Sequence, residues 1–173
     1  MRRGLSVSDC LRPLAEAPCQ AYLSDILQVA DLLEWILGQT GPAEVWLTSF
    51  SISEEFLRRI FHISRSGLVS RLTLVLDHKA TNKTLGLWAF LSQVVENTYL
   101  AYNHSKLLLV RGANGDVVSV VTSQDLTRGN RHESAFVSTD PDVFSSLSGQ
   151  VRDLIDNHSV ALHELFRNRI EEN

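Results

Sequence analysis

The sequence predicts an α/β domain, a mixed and mainly β-sheet layer with helices on both of its faces. Three observations lead there. Helix-period and strand-like segments alternate through the middle of the chain, three strand-like segments then follow without a helix between them, and long helical patterns stand on either side in sequence. The 173 residues, 44% of them hydrophobic, suffice for one ordinary core and are too few for two large domains. No repeat or Pro/Gly/Ser-rich linker divides them, so residues 1–173 are expected to form a single domain.

The first helix is expected over residues 21–38, because Leu23, Ile26, Leu27, Ala30, Leu33 and Leu37 recur at three- and four-residue spacing and Gly38 is placed to stop it. After the Thr40-Gly41-Pro42 turn, Glu44 to Ile52 is rich in β-formers. Ser53 is a candidate cap for a second helix carrying Phe56, Leu57, Ile60 and Phe61, with Glu54 and Glu55 favourable to its dipole. Arg71 to Leu76 reads as a strand and Thr84 to Val95 as a helix. Thr98 to Val110, Val117 to Thr122 and Ser134 to Ser138 read as strands. Asp140-Pro141, a capping residue followed by proline, opens C-terminal helices over 141–170, with an interruption near Asn157-His158.

Composition narrows the function classes. A net charge of −4 argues against a surface that coats nucleic acid non-specifically, since such affinity comes from Lys and Arg neutralising phosphates. A local basic cleft drawn from Lys106, Arg128, Arg131 and Lys79 or Lys83 stays open. No apolar run of signal-peptide length follows Met1-Arg2-Arg3 and none approaches the ~18 residues of a membrane span, so a cytoplasmic protein without stable membrane insertion is expected. Cys10 and Cys19 form no ligand pattern with a histidine pair and read as free thiols. His158 and His163-Glu164 lack metalloprotease spacing, and neither metal nor cofactor is expected. Trp35, Trp46 and Trp88 lie in apolar patterns and read as core, and Asp77-His78-Lys79 as a polar loop after a strand.

The chemistry concentrates in Asn103-His104-Ser105-Lys106, then Thr122-Ser123-Gln124-Asp125, then Glu133. In an extended strand, residues two apart share a face, so His104 and Lys106 would stand side by side. Taken alone, that pair marks only the exposed end of a strand. A neighbouring strand returning through the Gly112 to Asp116 turn would add Ser123 and Asp125, giving a nucleophile, a fixed positive charge and a hydroxyl donor around one phosphate.

These motifs resemble those of the phospholipase D superfamily, in its single-motif nuclease-like branch: H-x-K, then a G-S-x-N-like segment ending the next strand, then a downstream carboxylate. The likeness follows element order from about Val45 to Leu154, with the motif residues confined to His104 to Glu133. It implies a phospholipase D-like fold and a metal-independent phosphodiesterase, a nuclease, in which His104 attacks phosphorus to form a phosphohistidine. By the same resemblance Lys106 and Ser123 hold the non-bridging oxygens, and Glu133 accepts a hydrogen bond from the other imidazole nitrogen. Family sites use two such histidines and this chain supplies one motif, so the resemblance implies a homodimer as the catalytic unit, with a nucleic-acid substrate. A larger assembly that delivers substrate is compatible with the sequence.

Three positions depart from the pattern. Arg111 stands five residues after the lysine, where the motif's aspartate is usual. Asp125 replaces the usual asparagine and would repel a phosphate unless Lys106, or an arginine of the Arg128 to Arg131 loop, neutralises it. Thr122 replaces glycine and would tighten the pocket. The expected site is thus His104, Lys106, Ser123, Asp125 and Glu133, with Thr122, Arg128 and Arg131 on the substrate. The alternatives are a catalytically weakened module that binds nucleic acid or protein, and a phospholipid hydrolase.

Overall fold

The computed structural model describes residues 4–80, 86–87, 95 and 97–171. Its strands are β1 Cys19–Ser24, β2 Ala43–Ser49, β3 Val69–Asp77, β4 Asn97–Ala101, β5 Leu107–Gly112, β6 Val117–Thr122, β7 Glu133–Ser138 and β8 Ser159–Ala161. Its helices are α1 Val7–Cys10, α2 Val29–Thr40, α3 Glu54–Arg65, α4 Pro141–His158 and α5 Leu162–Glu171. The eight strands form one sheet in the order β1-β7-β6-β5-β2-β3-β4-β8, parallel at β2/β3 and β3/β4 and antiparallel elsewhere. The predicted α/β class with a mixed sheet is therefore observed. The helix expected over 84–95 lies outside the described residues apart from positions 86, 87 and 95, as do Lys83 and Trp88.

Period-two alternation in the strands feeds two cores. Leu108 and Val110 of β5 join Val45 and Leu47 of β2 in the core that α2 and α3 close with Leu33, Ile36, Leu57 and Ile60. Leu109, one residue out of phase, packs on the other face with Phe144 and Val151 of α4, beside the half-buried Trp46. Trp46 meets Phe144 edge-on at 6.1 Å, and the Arg111 guanidinium lies 5.0 Å from the Trp46 ring. Arg111 also pairs with Glu44 at 2.9 Å, so the residue in the motif's usual aspartate position serves the sheet. Between α2 and α3, Arg59 reaches Asp31 at 2.6 Å and Glu34 at 3.2 Å. Burial opposes its charge, but the hydrogen bonds and charges of Asp31 and Glu34 prevail and hold the guanidinium above its ordinary pKa.

Both predicted helix caps are present. The Ser53 hydroxyl accepts from the Phe56 amide, and the Asp140 carboxylate from the amides of Asp142 and Val143. The helix expected over 21–38 is instead a strand followed by a shorter helix. Residues 19–24 pair with β7, from Cys19↔Ser138 to Ser24↔Glu133. The buried Ser24 then turns the chain by accepting from the amides of Ile26 and Leu27. Helix α2 runs past Gly38 to Thr40 and ends at Gly41, whose φ of 70° favours glycine. In the C-terminal region the expected interruption is the short strand β8, which pairs with β4.

The single strand expected over 98–110 is two strands, separated in the sheet by β2 and β3. Because β4 runs parallel to β3 and β5 antiparallel to β2, residues 102–106 cross over the carboxyl ends of β2 and β3. The His104-Lys106 motif rides on that crossover and belongs to no strand.

Candidate active site

Asn103 anchors the crossover. It is buried rather than marking an exposed strand end, and its backbone amide and both polar atoms of its side chain are engaged. Its backbone amide donates to Asp77 Oδ2 at the end of β3 (2.9 Å), and its Nδ2 donates to the Ser49 carbonyl at the end of β2 (3.1 Å). Its Oδ1 accepts from the amide and hydroxyl of Ser105 at 3.1 and 2.5 Å. Thr48 secures the far end, with its Oγ1 2.8 Å from the Ser105 hydroxyl and accepting from the Leu107 amide at 3.0 Å. With Asn103 turned inward, His104 is left exposed, its ring 5.3 Å from that of Phe50 at an interplanar angle of 52°.

Lys106 folds back beside it. Its Nζ lies 3.5 Å from His104 Nδ1, donates to the His104 carbonyl at 3.2 Å, and stands 3.7 Å from Asp125 Oδ1. Only 10% of the Lys106 side chain is exposed, so the Asp125 charge sits opposite a well-shielded cation. Asp125 Oδ1 also accepts from the Phe50 amide at 3.0 Å and lies 2.9 Å from the Ser49 hydroxyl. Of the two expected neutralisers, the lysine occupies this place, whereas Arg128 pairs with Glu55 at 3.2 Å on the exposed surface. Arg131 is exposed.

Asp125 therefore has a local structural role, and its substitutions should separate acceptor from charge. Asp125→Ala strands the Phe50 amide and is expected to cost about 1–3 kcal/mol. Asp125→Asn, which keeps an oxygen at Oδ1 but gives up the charge opposite the shielded Lys106, should lose less than Asp125→Ala. Urea unfolding checks this, and equal losses for the two variants would contradict it.

Ser123 and Glu133 close the other side. The Ser123 hydroxyl donates to Glu133 Oε2 and accepts from the Ser134 amide at 3.1 Å. The expected hydrogen bond between Glu133 and the His104 imidazole is thus replaced: Glu133 Oε2 takes the hydroxyl of Ser123, and the polar side chain beside His104 Nδ1 is Lys106. Thr122 uses its hydroxyl locally, donating to the Ser134 carbonyl at 2.8 Å and accepting from the Gln124 amide at 3.1 Å. Its backbone amide reaches the Lys106 carbonyl at 3.1 Å, which joins the two halves of the site. His104, Lys106 and Asp125 are thus brought together, with Ser123 and Glu133 paired on the adjoining loop ends. Arg128 and Arg131 are displayed on the surface.

Sequence reasoning passed over Thr48, Ser49 and Phe50, because their place beside His104 depends on the order of strands. Among the described residues no cluster of His, Cys, Asp or Glu could hold a metal ion, and no helix is long and apolar enough to cross a membrane. Cys10 and Cys19 are free thiols.

No family model and no curated relative matches the sequence. Solved structures do. Nuc from Salmonella typhimurium, a phospholipase D family member, superposes with a TM-score of 0.57 at 15% identity, over 83% of this chain and 96% of Nuc. NucT from Helicobacter pylori gives 0.58 at 13% identity, over 81% of this chain and 98% of its own. Phosphatidylserine synthase from Haemophilus influenzae gives 0.59 at 12% identity over 83% of this chain, which spans only 40% of that protein. Agreement of this extent at such low identity is agreement of fold, and this chain has the fold of the phospholipase D superfamily.

Proposed function

We propose that the protein is a metal-independent phosphodiesterase, a nuclease that works through a phosphohistidine on His104 in a homodimeric site. The observation that carries this reading is the meeting of His104 and Lys106, 3.5 Å apart, on a crossover fixed by buried hydrogen bonds. A phosphodiester placed against that pair would meet a nucleophilic imidazole nitrogen and an ammonium able to hold a non-bridging oxygen, with the Ser123 hydroxyl as a further donor. His104 forms the bond to phosphorus as the leaving oxygen departs, and that oxygen takes a proton from His104 of the partner subunit. Water then attacks phosphorus, giving its proton to the partner's His104, and the phosphorus–nitrogen bond breaks, returning the electron pair to His104 and releasing the phosphate.

Two features support a second copy. The match covers 96% of Nuc and 98% of NucT, and this sequence carries one H-x-K, at His104 to Lys106. In addition, Leu23, Val121 and Phe136 stand 69%, 45% and 43% exposed on β1, β6 and β7, the strands whose ends carry Ser24, Thr122 and Glu133. An apolar sheet face continuous with the site suits a two-fold contact. The engagement of Glu133 by Ser123 favours the second reading, a weakened module that binds nucleic acid without cutting it.

The test is turnover of a chromogenic phosphodiester and of single- and double-stranded DNA in excess EDTA, with mass in solution measured by sedimentation. Activity in EDTA from a dimer is expected. Strict dependence on a divalent metal, or an active monomer, would overturn the mechanism, and binding of DNA without turnover would favour the second reading.

A further inference from the structure

Each of the three parallel strands is followed at once by an aromatic residue: Phe50 after β2, His78 after β3 and Tyr102 after β4. With Ser49 beside Leu76 and Asp77 beside Ala101, His78 falls level with Tyr102 and Phe50 one residue short of them, so all three residues lie at the carboxyl edge of the parallel strands. They are paired across it. The His78 and Tyr102 rings lie 4.9 Å apart at 57°, and Phe50 stands 5.3 Å from His104. Tyr102 is 86% exposed, the highest value among the exposed large apolar and aromatic side chains of the described residues. Its neighbour Asn103 is buried, so Tyr102 and His104 project outward from the same side of the crossover, their Cα atoms at most about 7 Å apart. Lys79, exposed, adds positive charge beside His78.

A tyrosine so exposed adds little to the core. A half-open His78–Tyr102 pair on one side of the nucleophile and Phe50 against its ring on the other, with Lys79 and Lys106 near them, fit a chain whose planar groups are free to stack and whose backbone is anionic. We propose that the rim of Phe50, His78 and Tyr102 is a stacking platform for unpaired bases, so that the site takes single-stranded nucleic acid. Duplex bases stack on one another and offer no free face to such a rim. This inference rests on the nuclease reading and names its substrate class.

Fluorescence anisotropy of the full-length protein with a labelled single-stranded oligothymidylate, an abasic oligomer of equal length, and a duplex tests it. The base-bearing strand should bind about 5- to 150-fold more tightly than the abasic one. Tyr102→Ala should erase most of that preference, and Tyr102→Trp should keep it. Because Tyr102 is almost fully exposed, the alanine variant is expected to fold, which circular dichroism verifies. Equal binding of base-bearing and abasic strands, duplex binding as tight as single-strand binding, or a preference that survives Tyr102→Ala would overturn the platform and leave the nuclease reading standing. Binding of none of the three would overturn both.

Discussion

His104→Ala should lower phosphodiester turnover by a factor on the order of 10⁴ or more, with no loss of fold. The imidazole is exposed and its ring lies against that of Phe50, so its removal creates no buried void. Activity and urea stability measured on one preparation separate chemistry from folding. Mixing the variant with the parent makes the test sharper. If two copies share one site and exchange subunits, activity should fall with the square of the parental fraction; independent sites would give a linear fall. A variant retaining a substantial share of the parental rate would show that another group attacks phosphorus.

Asn103→Ala should be the most destabilising single change at the site, by about 2–4 kcal/mol. The buried side chain donates to the Ser49 carbonyl in a fully buried bond and accepts from both the amide and the hydroxyl of Ser105 in part-buried ones. Truncation takes this partner from the Ser49 carbonyl and the Ser105 amide, while the Ser105 hydroxyl keeps Thr48. Activity should fall as well, because the residue fixes the backbone from which His104 projects, although Asn103 itself does not face solvent. Denaturant unfolding gives the first quantity. A variant as stable as the parent would mean that the crossover is held by its ends, at Asp77 and Thr48, rather than at its middle.

Patterns confined to one segment were legible in the sequence. Strand β6 has the predicted bounds Val117 to Thr122, and Ser53 and Asp140 cap the helices expected of them, because caps and alternation act within a few residues. Features decided by distant partners were not. The apolar spacing from Leu23 onward fits a helix, yet Leu23 and Ile26 are exposed and residues 19–24 are claimed by β7, more than a hundred positions away. Likewise nothing between Thr98 and Val110 breaks a strand, since Asn103 replaces ladder hydrogen bonds with side-chain ones. His104 and Lys106 could be paired from spacing alone. Asp125 could be added from the returning strand, with Lys106 as one of two expected neutralisers; the choice of the lysine, and the aromatic rim, required the strand order.

The crossover also has a length. From β4 to β5 the chain must pass three inter-strand spacings, about 14–15 Å. The segment from Ala101 to Leu107 reaches at most about 20 Å when fully extended. Removing two residues would leave about 13–14 Å, too short to make the crossing. Surface connections ordinarily tolerate insertion and deletion, but this one is a strap with only about one residue to spare. The number of residues between β4 and β5 is therefore bounded from below by the width of the sheet beneath them, and an inserted residue would slacken the strap and cost the imidazole its fixed position.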